Sequence, residues 1–262
     1  MSVLDYCTAG VRVAERALVQ RPRLGHEERL VFVVGCPRSG TTFLGRAIGG
    51  LPGFVDLGEA TPWKAALPEE PSAADLRRIL ERIRRLGLAW GLRGVEQTPE
   101  TAHVLGAALE AYPEALAVHA LRDGRDVVCS LLERGWLNAG RDGHDDAGLT
   151  YGPEPRFWVE PERREEFAQV SDARRCAWAW RRYVEAIQEA TDERVLEVRY
   201  ERLASEADRL ADFLGANVTS THRALDRFRD SSIGRWQNDL TQEQLADVEA
   251  EAGDLLRALG YT

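Results

Sequence analysis

Cysteine is scarce and scattered. The four residues, Cys7, Cys36, Cys129 and Cys176, form no CxxC pair and have no histidine set at metal-ligand spacing, so neither a zinc ribbon nor a disulfide framework organises the chain, and reduced thiols in a cytoplasmic setting are expected. No apolar run is long enough to span a membrane, and the first 25 residues lack the apolar stretch of a signal peptide; a short amphipathic helix is expected there instead. Positive charge is in deficit, with 34 Lys and Arg against 43 Asp and Glu and a net charge of −9. A general polyanion-binding role, nucleic acid above all, is thereby disfavoured, and any anion site must be local. Internal repeats and low-complexity tracts are also absent, which argues against solenoids and arrays.

What is present is ample for a core. The chain has 262 residues, 44% of them hydrophobic, and reads as one domain over 1–262. Apolar, β-branched runs at 30–34, 54–57, near 88–95, at 116–121 and at 195–198 alternate with helical patterns at 73–86, 100–111 and 125–134. This order predicts an α/β protein, a three-layer P-loop-like fold with a central parallel sheet of about five strands flanked by helices. Residues 137–170 break the pattern with Gly, Asp, Pro and aromatics, the composition of a lid or acceptor-binding insertion. Residues 171–190 return to helical spacing. The last helix begins at Thr241 with Gln244 in capping-box position, and Leu245, Val248, Ala252, Leu255, Leu256 and Leu259 form one apolar stripe along it.

The most informative string is GCPRSGTTF, residues 35–43. Gly35 and Gly40 stand at the GxxxxG spacing of a phosphate loop, after a strand and before a helix, where backbone N–H groups and the helix dipole favour an anion. A nucleotide triphosphatase continues with Lys and Ser or Thr, the lysine reaching the outer phosphates and the hydroxyl holding magnesium. Here Thr41 and Thr42 follow, and the cation lies inside the loop at Arg38. An arginine there is placed to neutralise a phosphate and the departing bridging oxygen. A sulfuryl group carries less charge than a phosphoryl group and needs less metal clamping, so the loop leans towards sulfuryl transfer without a metal.

A second strand, LAVHAL at 116–121, ends at Arg122 and opens a helix that carries Ser130. An arginine at a strand end with a hydroxyl on the next helix suits another phosphate. With both strings in place, the sequence resembles the sulfotransferases that use 3′-phosphoadenosine 5′-phosphosulfate (PAPS), bacterial and tyrosylprotein types among them. Their paired signatures are a PRSGTT-like loop for the 5′-phosphosulfate and an RDxRDxxxS segment for the 3′-phosphate. The resemblance implies that Arg38, Ser39, Gly40, Thr41 and Thr42 bind the 5′ end and that Arg122 and Ser130 bind the 3′-phosphate. VRYERL at 198–203 is similar to the family's RYExL segment, which implies Tyr200 near the adenine. SSIGRWQNDL at 231–240 is similar to the late GRW segment that closes over the nucleotide, which implies Arg235 at the 3′-phosphate and Trp236 beside the base. PAPS is then the co-substrate and adenosine 3′,5′-bisphosphate the product.

Sulfuryl transfer to a hydroxyl also requires a base beside the acceptor. Glu59, in LGEATPW, resembles the glutamate of the GEET string in the tyrosylprotein branch, and it ends a strand at the open edge of the sheet; its simpler reading is a cap or a partner of Lys64. His103, in VEQTPETAH, is the second candidate, with a suitable unperturbed pKa but with spacing that departs from the family. Gln97 stands where the resemblance implies a lysine that assists the departing oxygen. Arg38 then carries more of that task, or Lys64 supplies the charge, or the protein is a slow or inactive relative. His119 reads as a core histidine and His144 as part of a solvated turn.

Two rival readings remain open from sequence: a P-loop small-molecule kinase, and a nucleotide-binding relative without catalysis. For the acceptor, Trp63, Trp136, Tyr151, Phe157 and Trp158 are candidates to line an aromatic pocket for a small hydroxylated metabolite or natural product.

Overall fold

The computed structural model describes residues 3–19, 30–59, 74, 77, 78, 81, 91–138 and 159–261. Its centre is a five-stranded, all-parallel sheet: β1 (Val31–Val34), β2 (Phe54–Gly58), β3 (Arg93–Glu96), β4 (Leu116–Leu121) and β5 (Val195–Arg199), in the order β2-β3-β1-β4-β5. The register pairs Val31 with Val95 on one side of β1 and with Leu116 on the other. The crossover between β1 and β2 runs to one side of β1 and that between β3 and β4 to the other, so the chain reverses direction around β1 and opens a crevice at the strand ends there. All five strands stand where the hydrophobic runs place them; the third begins at Arg93 rather than at residue 88.

Both faces of the sheet are covered, which is why its central strand reads as a continuous apolar run rather than an alternating one. Phe32 and Val34 point into one core layer with α4 (Gly124–Arg134), α6 (Asp172–Glu189) and α10 (Gln242–Ala258). Val31 and Val33 point into the other, beneath α2 (Thr41–Gly49), α7 (Ala207–Leu214) and α8 (Val218–Leu225). Side chains fully buried in this way, such as Phe32 and Val33, each contribute roughly 1.5–3 kcal/mol. The first helix, α1 (Val3–Val19), lies against the β2 edge, where Arg16 donates to the carbonyls of Gly50, Leu51 and Phe54.

Helix ends follow the sequence closely. Ser171 caps α6, accepting from the Arg174 N–H at 3.1 Å, and Thr241 with Gln244 forms the expected capping box of α10. Residues 100–111 differ from the single helix expected. Pro99–Val104 form a 3₁₀ turn, and only Leu105–Ala111 (α3) are α-helical. The cause is the buried Glu96 carboxylate, which accepts from the Thr98 N–H at 2.9 Å, the Thr98 hydroxyl and the Thr101 hydroxyl at 3.1 Å, tightening the turn around itself. The short helices α5 (Arg164–Gln169) and α9 (Trp236–Asp239) complete the described elements. The expected helix at 73–86 and most of the 137–170 insertion lie outside the described residues.

An ion-pair network ties Arg163 and α6 to α10. Glu251 on α10, almost fully buried, meets Arg163 at 3.5 Å, Arg174 at 3.1 Å and Arg181 at 3.1 Å. Each arginine keeps a second carboxylate, Glu166 for Arg163 and Arg174 and Glu185 for Arg181, so Glu251→Gln is expected to lower stability by only about 1–2 kcal/mol, measurable by urea denaturation. Loss of less than about 0.5 kcal/mol would show the network to be an ordinary surface cluster.

Acid should weaken the fold for a separate reason. Burial lowers His119 on β4 to about 4, and lowers His103, with Arg182 adding to the effect, to about 3. Below the unfolded value of about 6.5 the unfolded chain takes up protons that the folded chain refuses, so stability falls as pH drops from 6.5 towards 4. At pH 5 this amounts to about 2 kcal/mol per histidine. Urea denaturation at pH 7 and pH 5 is expected to show that decline, and His119→Asn to reduce it; an identical pH dependence in the variant would contradict the assignment.

Candidate active site

The phosphate loop follows β1 and enters α2 through Gly40, whose φ of 91° lies in the left-handed region; no side chain caps the helix. The first N–H groups of α2 are therefore presented without a competing internal acceptor. A Cβ at Gly40 would approach the Tyr200 ring to 2.6 Å, and one at Gly35 would approach the Ala120 carbonyl oxygen to the same distance. The glycines let the loop lie directly on β4 and on Tyr200. Gly40→Ala is accordingly expected to weaken nucleotide binding by at least about tenfold, through both the backbone strain and the clash; binding within twofold of wild type, read by calorimetry, would show that the loop tolerates a shift.

Arg38 is the one non-glycine residue with positive φ, 76°, among the described residues. Such a conformation costs on the order of 1 kcal/mol, and two contacts hold it. The Arg38 Nε donates to Ser130 Oγ at 2.9 Å, and the Arg38 carbonyl oxygen accepts from Arg122 at 3.0 Å. Its guanidinium lies over the Trp136 ring, 5.9 Å from the centroid. The two anion motifs, separated by more than 80 residues, are thus a single hydrogen-bonded unit.

Arg122, at the end of β4, is only 4% exposed. Besides the Arg38 carbonyl it donates to the Ser232 carbonyl at 2.6 Å, approaches Asp126 at 3.8 Å and lies 4.4 Å above the Tyr200 ring centroid. Its Nε finds no acceptor among the described residues. A buried guanidinium with an unused donor is an open demand for an anion or a water.

The segment 232–236 closes over these residues and is tied down from below. Asp126, fully buried in the first turn of α4, accepts from the Gly234 N–H at 2.8 Å and the Trp236 N–H at 3.1 Å. Tyr200 shares a hydrogen bond with Ser232 Oγ at 3.0 Å. Arg235 is paired with both Glu133, on the last turn of α4, and Asp239. These pairings raise the Arg235 guanidinium above its usual range, and hydrogen bonds from Arg235 hold the Glu133 carboxyl below its own.

Together Arg38, Gly40, Thr41, Thr42, Arg122, Ser130, Glu133, Tyr200, Ser232 and Arg235 bound a cleft of about 260 Å³. Beside it, Tyr200, Phe228 and Phe43 form an edge-to-face aromatic run, with centroids 4.7 Å and 5.5 Å apart.

Seven of the residues singled out in the sequence therefore meet in one place: Arg38, Gly40, Thr41, Thr42, Arg122, Ser130 and Tyr200, with Arg235 at the mouth. Ser39 is buried within the loop, its N–H donating to the Cys36 carbonyl. Trp236 is placed elsewhere, under the Arg125 guanidinium at 3.9 Å and facing α10. Glu59 is exposed at the end of β2, the edge strand two positions from β1, and does not line the cleft. His103 packs on Tyr183 at 4.4 Å in the core layer beneath α6. Gln97 is buried under α2, its carboxamide against Gly45, one turn below the loop. Lys64, the single lysine of the sequence, lies outside the described residues, as do Trp63, His144, Tyr151, Phe157 and Trp158.

Sequence reasoning missed Asp126, Glu133, Ser232, Phe43 and Phe228. Phe43 directly follows the two threonines and Asp126 lies inside the RDGRD string, so both were within reach of the motifs; the other three become visible only through contacts across the fold.

A parallel sheet with a GxxxxG loop at its reversal point and an arginine–serine pair beside it is an architecture suited to a transferase with an anionic substrate. Residues 62–220 match the sulfotransferase family, and the chain belongs to that family. The matched span contains Arg122, Ser130 and Tyr200 but begins after the GxxxxG loop, so membership does not depend on that loop. Two solved structures share the fold. The sulfotransferase domain from the curacin biosynthetic pathway is 13% identical, with a TM-score of 0.56 over 88% of this chain and 98% of that one. Mouse sulfotransferase SULT7A1, complexed with PAP, is 16% identical, with a TM-score of 0.51 over 94% of this chain and 91% of that one. No curated protein matches the sequence. Among the described residues no helix is long and apolar enough to cross a membrane.

Proposed function

We propose that this protein transfers the sulfuryl group of PAPS to a hydroxyl of a small acceptor by in-line displacement. The observation that carries the reading is the joining of Arg38 and Ser130 by a hydrogen bond while Arg122 holds the Arg38 carbonyl: two anion motifs share one cleft, as a doubly phosphorylated nucleotide would need. The chemistry of the donor set fits such a ligand. The cleft combines open N–H groups of α2, the hydroxyls of Thr41, Thr42 and Ser130, three arginines and one unused buried donor on Arg122.

In this reading the nucleotide brings the activated sulfuryl group. The α2 N-terminus with Thr41 and Thr42 binds its 5′ end, and Arg122, Ser130 and Arg235 bind its 3′-phosphate. Tyr200 and the adjoining Phe228 and Phe43 offer ring faces to the base. As the acceptor oxygen bonds to sulfur and the bond from sulfur to the phosphate oxygen breaks, Arg38 neutralises the charge gathering on the leaving phosphate. With Gln97 uncharged and confined beneath α2, that task falls on Arg38. Family membership and the threonines at 41 and 42 both weigh against phosphoryl transfer.

Glu59 is the proposed base. Its support is its exposure at the C-terminal end of β2, on the side where ligands of open parallel sheets bind. His103 is the weaker candidate, because its packing on Tyr183 and its depressed basicity suit it poorly to accept a proton near neutral pH. Glu59→Gln is expected to lower kcat by at least about 100-fold with nucleotide affinity within twofold; an unchanged kcat would remove Glu59 from the mechanism.

The function itself is tested by incubating the protein with PAPS and a panel of small hydroxylated compounds in the presence of EDTA. Mass spectrometry should find a sulfated acceptor and stoichiometric adenosine 3′,5′-bisphosphate. Turnover that requires magnesium, or ATP in place of PAPS, would overturn the reading.

A further inference from the structure

Among the described residues, Glu133 is the one acidic side chain in the wall of a cleft otherwise lined mainly by three arginines and by hydroxyls. Its position is unfavourable for its own helix. It lies in the last turn of α4, where the helix dipole favours cations rather than carboxylates. The compensation comes from 102 residues away: both Glu133 carboxylate oxygens accept from Arg235, one of these bonds measuring 3.1 Å, and the Arg235 Nε donates to Asp239 at 2.6 Å.

The ties on the 232–236 segment fall into two kinds. Those made by Asp126 and Arg122 reach backbone groups from buried side chains and, with the Tyr200 bond to Ser232 Oγ, fix the segment to the fold. The tie from Glu133 joins two side chains at the cleft mouth, 58% and 26% exposed, and can open without disturbing the others. The end-on fork of Arg235, Nη1 with Nη2, is the one that Glu133 holds. While Glu133 occupies it, a phosphate seated beside Arg122 cannot have it; once a phosphate has it, Glu133 is left as a like charge at close range.

We propose that Glu133 is a specificity-determining residue of the nucleotide cleft, a built-in competitor that holds the Arg235 fork when the site is empty and limits how tightly a 3′-phosphorylated nucleotide is retained. The proposal rests on the reading of this cleft as the binding site of adenosine 3′,5′-bisphosphate and PAPS. Its consequence is kinetic. The bisphosphate product carries the same 3′-phosphate as the substrate, so every turnover ends with that phosphate having to leave, and Glu133 speeds the exchange by reclaiming Arg235.

The test is calorimetry and stopped-flow displacement on the full chain with adenosine 3′,5′-bisphosphate and adenosine 5′-monophosphate as probes. Glu133→Gln keeps a hydrogen-bonding side chain of the same shape but removes the charge. It is expected to tighten the bisphosphate by about tenfold, mainly through a slower off-rate, and to leave the monophosphate within twofold. In an Arg235→Ala background the same substitution should gain clearly less, because the contested fork is gone and only the relief of like charge remains. Unchanged or weakened bisphosphate affinity in Glu133→Gln, or an equal gain for the monophosphate, would overturn the competitor role. If the wild-type protein failed to prefer the bisphosphate over the monophosphate, the nucleotide reading of the cleft would fall instead, and the proposal with it.

Discussion

Arg38→Ala is expected to reduce sulfuryl transfer by at least about 1,000-fold, the scale seen when a charged donor aimed at a developing negative charge is deleted. Three features make the effect large. The loop has no lysine, and Gln97, where the family resemblance implies one, is buried beneath α2 against Gly45. Neither of the other two arginines described in the cleft lies within the loop: Arg122 follows β4 and Arg235 lies in the 232–236 segment. The backbone of Arg38 is also held at a positive φ, its carbonyl accepting from Arg122, as expected where strain is kept for function. Alanine should leave the fold in place, so the loss should appear in kcat with a smaller change in nucleotide affinity. Turnover within tenfold of wild type would mean that another group, Lys64 foremost, supports the leaving oxygen.

Arg122→Ala should weaken adenosine 3′,5′-bisphosphate by roughly 100-fold, from the loss of two or more charge-assisted bonds to the 3′-phosphate. The sequence motif alone suggests that a nucleotide lacking this phosphate would be indifferent to the change. The structure modifies that expectation, because Arg122 also secures the Arg38 carbonyl and the Ser232 carbonyl. Both parts of the site should loosen, and adenosine 5′-monophosphate should weaken too, by less than about tenfold. Equal losses for the two nucleotides would show that Arg122 is purely a strut.

Much of the fold was legible because its signals are local. The run VFVV after Leu30 is apolar on both faces, and a strand with α2 above and α6 below requires that pattern. The Thr241 and Gln244 box and the Ser171 cap are read from residues three apart, within one helical turn. The GCPRSGTT string carries its geometry in its glycines. The turn at Pro99–Val104 was not legible as 3₁₀, since its cause is a carboxylate at Glu96 folding back on Thr98 and Thr101, which a helical periodicity does not register.

The site divides along the same line. Arg38, Arg122 and Ser130 announce themselves as motifs, but the bond from Arg122 to the Arg38 carbonyl, the Asp126 clamp on Gly234 and Trp236, and the Glu133 pair with Arg235 link residues 84 to 110 positions apart. Only the fold brings them together. Trp236 shows the converse: its motif suggests the base, whereas Arg125 and α10 give it a stacking partner and an apolar wall on the far side of the same turn.

The central claim is that two anion sites in one cleft recognise a nucleotide phosphorylated at both its 5′ and 3′ ends. Its most direct test is calorimetric titration of the wild-type protein, in EDTA, with adenosine 3′,5′-bisphosphate and with adenosine 5′-monophosphate. A preference of at least about 100-fold for the bisphosphate is predicted from Arg122, Ser130 and Arg235 acting together; equal affinity for the two nucleotides would contradict the account.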